Sequence, residues 1–139
     1  MITLQTPIQK RFSDVDSFLH VNNVAQQMYF DIGKMEFYRR VLAIDTPEKI
    51  RRVITAATQT DYRGQIRMED ELVVRTSIDR IGTTSMHFFQ QLIHLLPDGG
   101  ERICTESRSV MVVFDFERQE KAPVPEEWRT LLEGERMLQ

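Results

Sequence analysis

The chain has 139 residues, a formal net charge of −3 and a single cysteine. This length fits one domain, predicted over residues 1–139, that can bury a core without disulfide bonds. No apolar run approaches the roughly 18 residues of a membrane span, and the N-terminus lacks the apolar stretch of a signal peptide. The sequence also has no basic cluster typical of nucleic-acid binding. We therefore expect a soluble cytoplasmic protein, in which the lone thiol of Cys104 stays reduced, with neither nucleic acid nor a membrane as partner.

The first part of the chain predicts one strand and then one long helix. Side chains alternate over residues 4–12, which is typical of a strand. Apolar residues then recur at helical spacing from about 24 to 42, around most of the circumference, so we expect this helix to be covered on several sides. One stripe consists of Val24, Met28, Ile32, Met35 and Leu42, and a neighbouring stripe consists of Phe30, Phe37 and Val41. Asn22 or Asn23 can cap the helix start, and Gly33 in its middle indicates close packing against a sheet.

The rest of the chain is predicted to be rich in strands. Four segments combine β-branched and aromatic residues: 53–62, 70–81, 85–95 and 103–116. Turn-forming residues separate the last three, and residues 126–132 can form a short terminal helix. The predicted class is α+β, with a long central helix wrapped by a curved antiparallel sheet of five strands, the last four of them in a meander.

The segment from Arg11 to Asn23 is the richest in groups that can do chemistry. It joins the first strand to the helix and contains two carboxylates, an imidazole and two amides. A helix N-terminus offers unpaired N–H groups and a partial positive charge, which can stabilise an oxyanion. Thioester hydrolysis suits so sparse a site, because its thiolate leaving group has an ordinary pKa near 8.5 and needs no strong acid. Asp14 is interpreted as a turn-stabilising residue.

An ordered set of short motifs extends along almost the whole chain. The set consists of Asp14-Val15-Asp16, His20-Val21-Asn22-Asn23, Tyr29-Phe30-Asp31, Asp61-Tyr62-Arg63, Asp70-Glu71-Leu72, Arg80-Ile81-Gly82, Ser109 to Asp115, and Pro123 to Glu127. With these motifs the chain resembles the hydroxybenzoyl-CoA thioesterase-like branch of the hot-dog superfamily. The resemblance implies a hot-dog fold, an acyl-CoA thioester as substrate, and assembly into a homodimer or homotetramer with the site between protomers.

The resemblance also implies roles for individual residues. Asp16 matches the catalytic carboxylate, as general base or nucleophile, and the backbone N–H of Asn23 matches the group that polarises the thioester carbonyl. His20 lies in the same loop and completes the predicted catalytic set. The predicted substrate-binding residues are Asn22, Gln26, Tyr62, Arg80, Gly82, Thr83 and Thr84. We expect no metal and no cofactor beyond coenzyme A, which arrives as part of the substrate.

Two positions depart from the family pattern. Relatives usually carry an aromatic residue at the position of Gln26, so the amide can change the polarity of the pocket. After the Arg80-Ile81-Gly82 turn, many relatives place Arg or Lys to hold the CoA phosphates, where this chain has Thr83 and Thr84. Arg80 or Arg67 can compensate, or the acyl carrier can differ from coenzyme A.

Other functions stay open at this point. A hydratase or dehydratase acting on acyl thioesters can share the fold, although such enzymes usually present Asp and His in a different loop signature. A non-catalytic acyl-CoA sensor or binding module is the other alternative, and the departures at Gln26 and Thr83 keep it open. Cys104 lies in a predicted strand with no histidine in a recognisable relation, which argues against a cysteine nucleophile. The acyl group can be aliphatic or aromatic, and its carrier coenzyme A or a carrier protein.

Overall fold

The structure is a computed structural model that describes residues 1–50 and 52–139. Its elements in chain order are β1 (Ile2–Ile8), α1 (Asn23–Arg40), α2 (Pro47–Ile50), β2 (Val53–Tyr62), β3 (Leu72–Ile81), β4 (Ser85–Leu95), β5 (Glu101–Asp115), β6 (Glu120–Lys121), α3 (Glu126–Leu131) and β7 (Arg136–Leu138). The predicted α+β class and all five predicted strands are present. The first strand ends at Ile8 and not at Phe12, which lies in a short 3-10 turn and is 89% exposed.

The sheet has seven strands among the described residues, and not the predicted five. Six follow the order β2-β5-β4-β3-β1-β7, while β6 pairs with the end of β5. All pairs are antiparallel except β1 with β7. Only β3, β4 and β5 form a meander, because the loop after β2 crosses the end of the sheet and leaves β2 beside β5 at the far edge. The predicted four-stranded meander is therefore wrong in the placement of β2.

Helix α1 packs on one face of the sheet, over β1, β3 and β4. Its buried face consists of Ala25, Gln26, Tyr29, Phe30, Gly33, Lys34, Phe37 and Tyr38. The stripe from Val24 to Met35 instead faces outward, with exposures from 43% to 65%. Within the described part of one chain the helix is thus covered on one side only, contrary to our expectation. Helical spacing identifies a stripe but not which stripe the sheet covers, and here the larger aromatic side chains occupy the buried side.

Gly33 lies where α1 comes closest to the sheet. A Cβ atom at this position would lie 2.7 Å from Thr76 Oγ1, 2.8 Å from Gln90 Nε2 and 3.0 Å from Val74 Cγ1. Such distances leave no room for a side chain, so glycine allows the helix to approach β3 and β4. The predicted close packing at Gly33 is confirmed.

Candidate active site

A cavity of about 300 Å³ opens at the N-terminus of α1. It is lined by Asp16, His20, Val21, Asn22, Asn23, Gln26, Tyr62, Arg63, Gly64 and Gln65. The structure therefore brings together all three predicted catalytic residues and three of the predicted substrate-binding residues. Most of the lining side chains carry a polar group, which can orient a reacting thioester.

The loop that carries Asp16 is tightly turned. The N–H of Asp16 donates to the carbonyl of His20 at 2.9 Å, and its own carbonyl accepts from Leu19 at 3.0 Å. Leu19 has φ +64°, the left-handed conformation that such a tight turn requires. Asp16 Oδ1 accepts from the N–H of Phe18 at 2.9 Å and from that of His20 at 3.4 Å. Among the described residues Oδ2 has no hydrogen-bond donor, so this oxygen is the one available to water or substrate.

Asp14 ties the base of the same loop to α1. Its carboxylate is 2% exposed and accepts from Tyr29 Oη at 2.5 Å and from the N–H of Arg11 at 3.0 Å, while the Arg11 guanidinium lies 3.0 Å away. Burial by itself would raise the pKa of Asp14, but the hydrogen bonds from Tyr29 and Arg11 outweigh it and hold this pKa below its ordinary value. The carboxylate thus stays charged, which agrees with the predicted turn-stabilising role.

The start of α1 leaves two backbone donors free. Asn22 is the N-cap, and its Oδ1 accepts from the N–H of Ala25 at 2.7 Å. The N–H of Asn22 itself donates to the carbonyl of Asp14 at 2.9 Å. The N–H groups of Asn23 and Val24 have no acceptor within the part of the chain that the structure describes. Together with the helix dipole, these two donors form a site for a developing negative charge.

Gln26 points inward from the first turn of α1. It is 5% exposed, its Oε1 accepts from Thr105 Oγ1 at 2.5 Å, and its Nε2 donates to the carbonyl of Val21 at 3.3 Å. Both polar ends of the side chain are therefore hydrogen-bonded to the protein. The sequence placed Gln26 among the substrate contacts, because the pattern does not reveal which way the amide turns.

Tyr62 closes the cavity from the side of the sheet. Its hydroxyl accepts from Gln27 Nε2 at 3.0 Å and lies 3.5 Å from the carbonyl of Asn23, at the limit of a hydrogen bond. The loop that follows adds Arg63, Gly64 and Gln65 to the wall. Apart from Arg63, which belongs to a motif already noted, these residues carried no signal in the sequence, because they reach the site only when the loop crosses the end of the sheet.

The other predicted substrate-binding residues lie elsewhere in the chain. Arg80 lines a separate cavity of about 630 Å³ together with His87 and Arg108. Arg80 pairs with His87 in the sheet, and His87 pairs with Val110 on β5. The β5 partner of Tyr62 is Thr105, five positions from Val110, which corresponds to about 17 Å along a strand. A single chain therefore does not bring Arg80 to the cavity beside Asp16.

The turn after Arg80 is held by the end of the chain. The carbonyl of Gly82 accepts a hydrogen bond from Arg129 Nη2 at 2.5 Å. The carbonyls of Thr83 and Thr84 accept from the N–H groups of Val124 and Val113, both at 2.9 Å. Gly82, Thr83 and Thr84 are thus not brought to Asp16 either. No helix among the described residues is long and apolar enough to cross a membrane, and no cluster of three metal-ligating side chains occurs among them.

Comparisons with known proteins agree with the sheet-and-helix arrangement. The thioesterase-like superfamily matches residues 11–132, and the chain belongs to this family of hot-dog thioester hydrolases. An uncharacterized protein of Bacillus subtilis (strain 168), YsmA, is 28% identical over 79 residues, which cover 57% of this chain and 53% of that protein. The match thus spans about half the length of that relative.

Solved structures repeat the fold. A predicted thioesterase from Bacillus stearothermophilus is 26% identical with a TM-score of 0.81, over 94% of this chain and 93% of that one. A thioesterase from Thermus thermophilus in complex with coenzyme A and Zn is 21% identical with a TM-score of 0.79, over 94% and 97%. The 4-hydroxybenzoyl-CoA thioesterase of Pseudomonas sp. strain CBS-3 is 15% identical with a TM-score of 0.77, over 93% and 98%. The predicted hot-dog architecture is confirmed, with the corrected strand count.

Proposed function

We propose that this chain is an acyl-CoA thioesterase that hydrolyses its substrate to a free acid and coenzyme A, with Asp16 as the catalytic carboxylate. The observation that carries the proposal is one shared cavity: it holds a carboxylate with a free oxygen and lies at a helix start with two free N–H groups. These are the two functions that thioester hydrolysis needs, an activator of the attacking group and a binding place for the oxyanion.

The reaction can follow one of two balanced routes. In the first, Asp16 takes a proton from water, the hydroxide adds to the thioester carbonyl, and the oxyanion is stabilised by the N–H of Asn23. Collapse of this adduct breaks the C–S bond and releases coenzyme A as a thiolate, which then takes up the proton. In the second, Asp16 itself attacks the thioester carbonyl and forms an anhydride as the C–S bond breaks and coenzyme A leaves as a thiolate; water then hydrolyses the anhydride to the free acid and the Asp16 carboxylate. Both routes use the same two groups, while His20 and Asn22 hold the loop and its water.

The proposed substrate carries coenzyme A, as in the Thermus and Pseudomonas proteins named above. A phosphate needs positive charge and hydrogen-bond donors. Arg80 has no hydrogen-bond or ion-pair partner among the described side chains, so its guanidinium is free to bind one. Because Arg80 is far from Asp16 within one chain, this assignment requires an extended ligand or a second protomer.

We further propose that two copies pair through β2. Among the described residues this strand has a neighbour on one side only, β5. Residues 53–60 on it contain no charged side chain, whereas exposed sheet edges are usually protected by charges or proline. Two-fold pairing of this edge gives a homodimer, and the oligomer's size in solution is measurable by light scattering. A stable, active monomer at micromolar concentration would remove this part of the proposal.

The buried, unpaired Cys104 is consistent with a reducing compartment, and we place the enzyme in the cytoplasm.

The experiment that tests the function is a free-thiol assay over a panel of aliphatic and aromatic acyl-CoA substrates, run beside calorimetric binding of the same compounds. We expect thiol release with at least one of them. Binding without release would support a non-catalytic acyl-CoA sensor instead. Hydration of an enoyl-CoA without thiol release would support the hydratase alternative.

A further inference from the structure

The peptide unit between Val21 and Asn22 is held from both ends. On one side, the N–H of Asn22 donates to the carbonyl of Asp14 at 2.9 Å. On the other, the carbonyl of Val21 accepts from Gln26 Nε2 at 3.3 Å. This peptide unit is the last one before the free N–H groups of α1, so its orientation sets the direction in which those donors point.

Gln26 connects this peptide unit to the interior of the sheet. Its Oε1 accepts from Thr105 Oγ1 at 2.5 Å, and Thr105 is fully buried on β5. Strand β5 lies between β2 and β4 and is therefore not an edge strand. The amide thus links the start of α1 to an interior strand that also pairs with Tyr62 on β2, at the opposite wall of the cavity.

We propose that Gln26 and Thr105 are positioning residues, which fix the oxyanion-binding N–H groups of α1 against the sheet and do not contact the substrate themselves. This inference rests on the proposed function. Gln26 is buried, and each polar end of its amide has a protein partner, as a positioning role requires. A displacement of about 1 Å at a catalytic group can cost on the order of 100-fold in rate. The hydrogen bonds of Gln26 can therefore affect kcat without any contact with the substrate.

A second buried glutamine provides a matched control. Gln90 on β4 is 1% exposed, and its Nε2 donates to the carbonyl of Phe30 at 2.9 Å and to Thr76 Oγ1 at 3.0 Å. It too links a carbonyl of α1 to a threonine hydroxyl on a strand. Phe30 lies further along the helix and its carbonyl takes no part in the cavity. Loss of the Gln90 amide therefore removes a comparable link between helix and sheet without touching the site.

The test compares Gln26→Met, Thr105→Val, Thr105→Ser and Gln90→Met by steady-state kinetics. Methionine keeps the length of glutamine and removes both hydrogen bonds. We expect Gln26→Met and Thr105→Val each to lower kcat about 10-fold with KM within about twofold, as for a group that acts on the transition state. Thr105→Ser, which keeps the hydroxyl, should retain kcat, and so should Gln90→Met although it lowers stability. The double variant Gln26→Met with Thr105→Val should have a kcat no lower than that of Gln26→Met alone, because both substitutions break the same link between α1 and β5.

Amide hydrogen exchange provides a readout independent of turnover. Exchange at Asn22 and Ala25, whose N–H groups are hydrogen-bonded, should accelerate in Gln26→Met and Thr105→Val but not in Gln90→Met. A raised KM with unchanged kcat in Gln26→Met would overturn the proposal in favour of a direct substrate contact. So would equal effects of Gln26→Met and Gln90→Met on kcat. If the wild type hydrolyses no acyl-CoA, the proposed function fails, while the exchange experiment still decides whether Gln26 orders the helix start.

Discussion

The two halves of the layer between α1 and the sheet are filled in different ways. Beneath the C-terminal half, Phe37 and Tyr38 meet Phe88 edge to face, with ring centroids 5.5 and 5.6 Å apart. Beneath the N-terminal half, the buried side chains include Asp14 and Gln26, each held by specific hydrogen bonds. Apolar contacts are individually weak and have no preferred direction, whereas buried polar groups are costly unless their hydrogen-bond partners are in place. Both halves contain apolar clusters that stabilise the fold, and the buried polar side chains of the N-terminal half also fix the geometry of the cavity.

Truncation in the apolar half should cost the most stability. Phe37 is fully buried and packs against Phe88. We expect Phe37→Ala to lower the free energy of unfolding by about 3–5 kcal/mol, since it removes a large buried side chain and leaves a cavity. Urea denaturation measures this loss. At a temperature where the variant is folded, its kcat should stay within about twofold of wild type. A large drop in kcat without loss of stability would contradict the division into two halves.

Removal of the buried charge beneath the N-terminal half should lower stability less than Phe37→Ala does, and the loss should depend on pH. Asp14→Asn loses charge-assisted hydrogen bonds from Tyr29 and Arg11, so we expect a loss of about 2 kcal/mol at neutral pH. The pKa of Asp14 is lowered in the folded state. The contribution of Asp14 to the free energy of unfolding is therefore fully present above the ordinary carboxyl pKa of about 4. This contribution is lost as pH falls through the lowered pKa of the folded state. The difference between the unfolding free energies of the two proteins should shrink as pH falls below about 4; a constant difference would exclude this origin.

Arg80 lies outside both halves and should affect neither stability nor chemistry strongly. If its free guanidinium binds a CoA phosphate, Arg80→Ala removes an interaction common to ground and transition states. We expect KM to rise several-fold, with kcat and the melting temperature nearly unchanged. Steady-state kinetics on the best acyl-CoA checks this expectation. An unchanged KM would place the carrier elsewhere.

Local patterns in the sequence predicted most elements, while contacts between distant segments decided the rest. Strands 53–62 and 85–95 and the helix cap at Asn22 agree with the structure because they depend on neighbouring residues. The placement of β2 beside β5 and the outward direction of the Met28 stripe depend on which surfaces meet. Strands β6 and β7, of two and three residues, are too short to produce a pattern.

The site residues likewise fall into those that a local pattern predicts and those that contacts between distant segments place. The loop motif brought Asp16, His20, Asn22 and Asn23 together, because these residues are close in the chain. The inward turn of Gln26 depends on Thr105, 79 positions away, and no local pattern predicts it. The separation of Arg80 from Asp16 is likewise a property of the sheet.

The central claim is that Asp16 performs the chemistry while Asp14 holds the loop. The most direct measurement is kcat for Asp16→Asn and Asp14→Asn on the best acyl-CoA found, with circular dichroism to establish that each variant is folded. Asp16→Asn keeps the shape of the side chain and removes its charge, so kcat should fall on the order of 10²–10⁴-fold while KM changes little. Asp14→Asn should lose stability with a much smaller change in kcat. A folded Asp16→Asn variant that turns over at near wild-type rate would contradict the account.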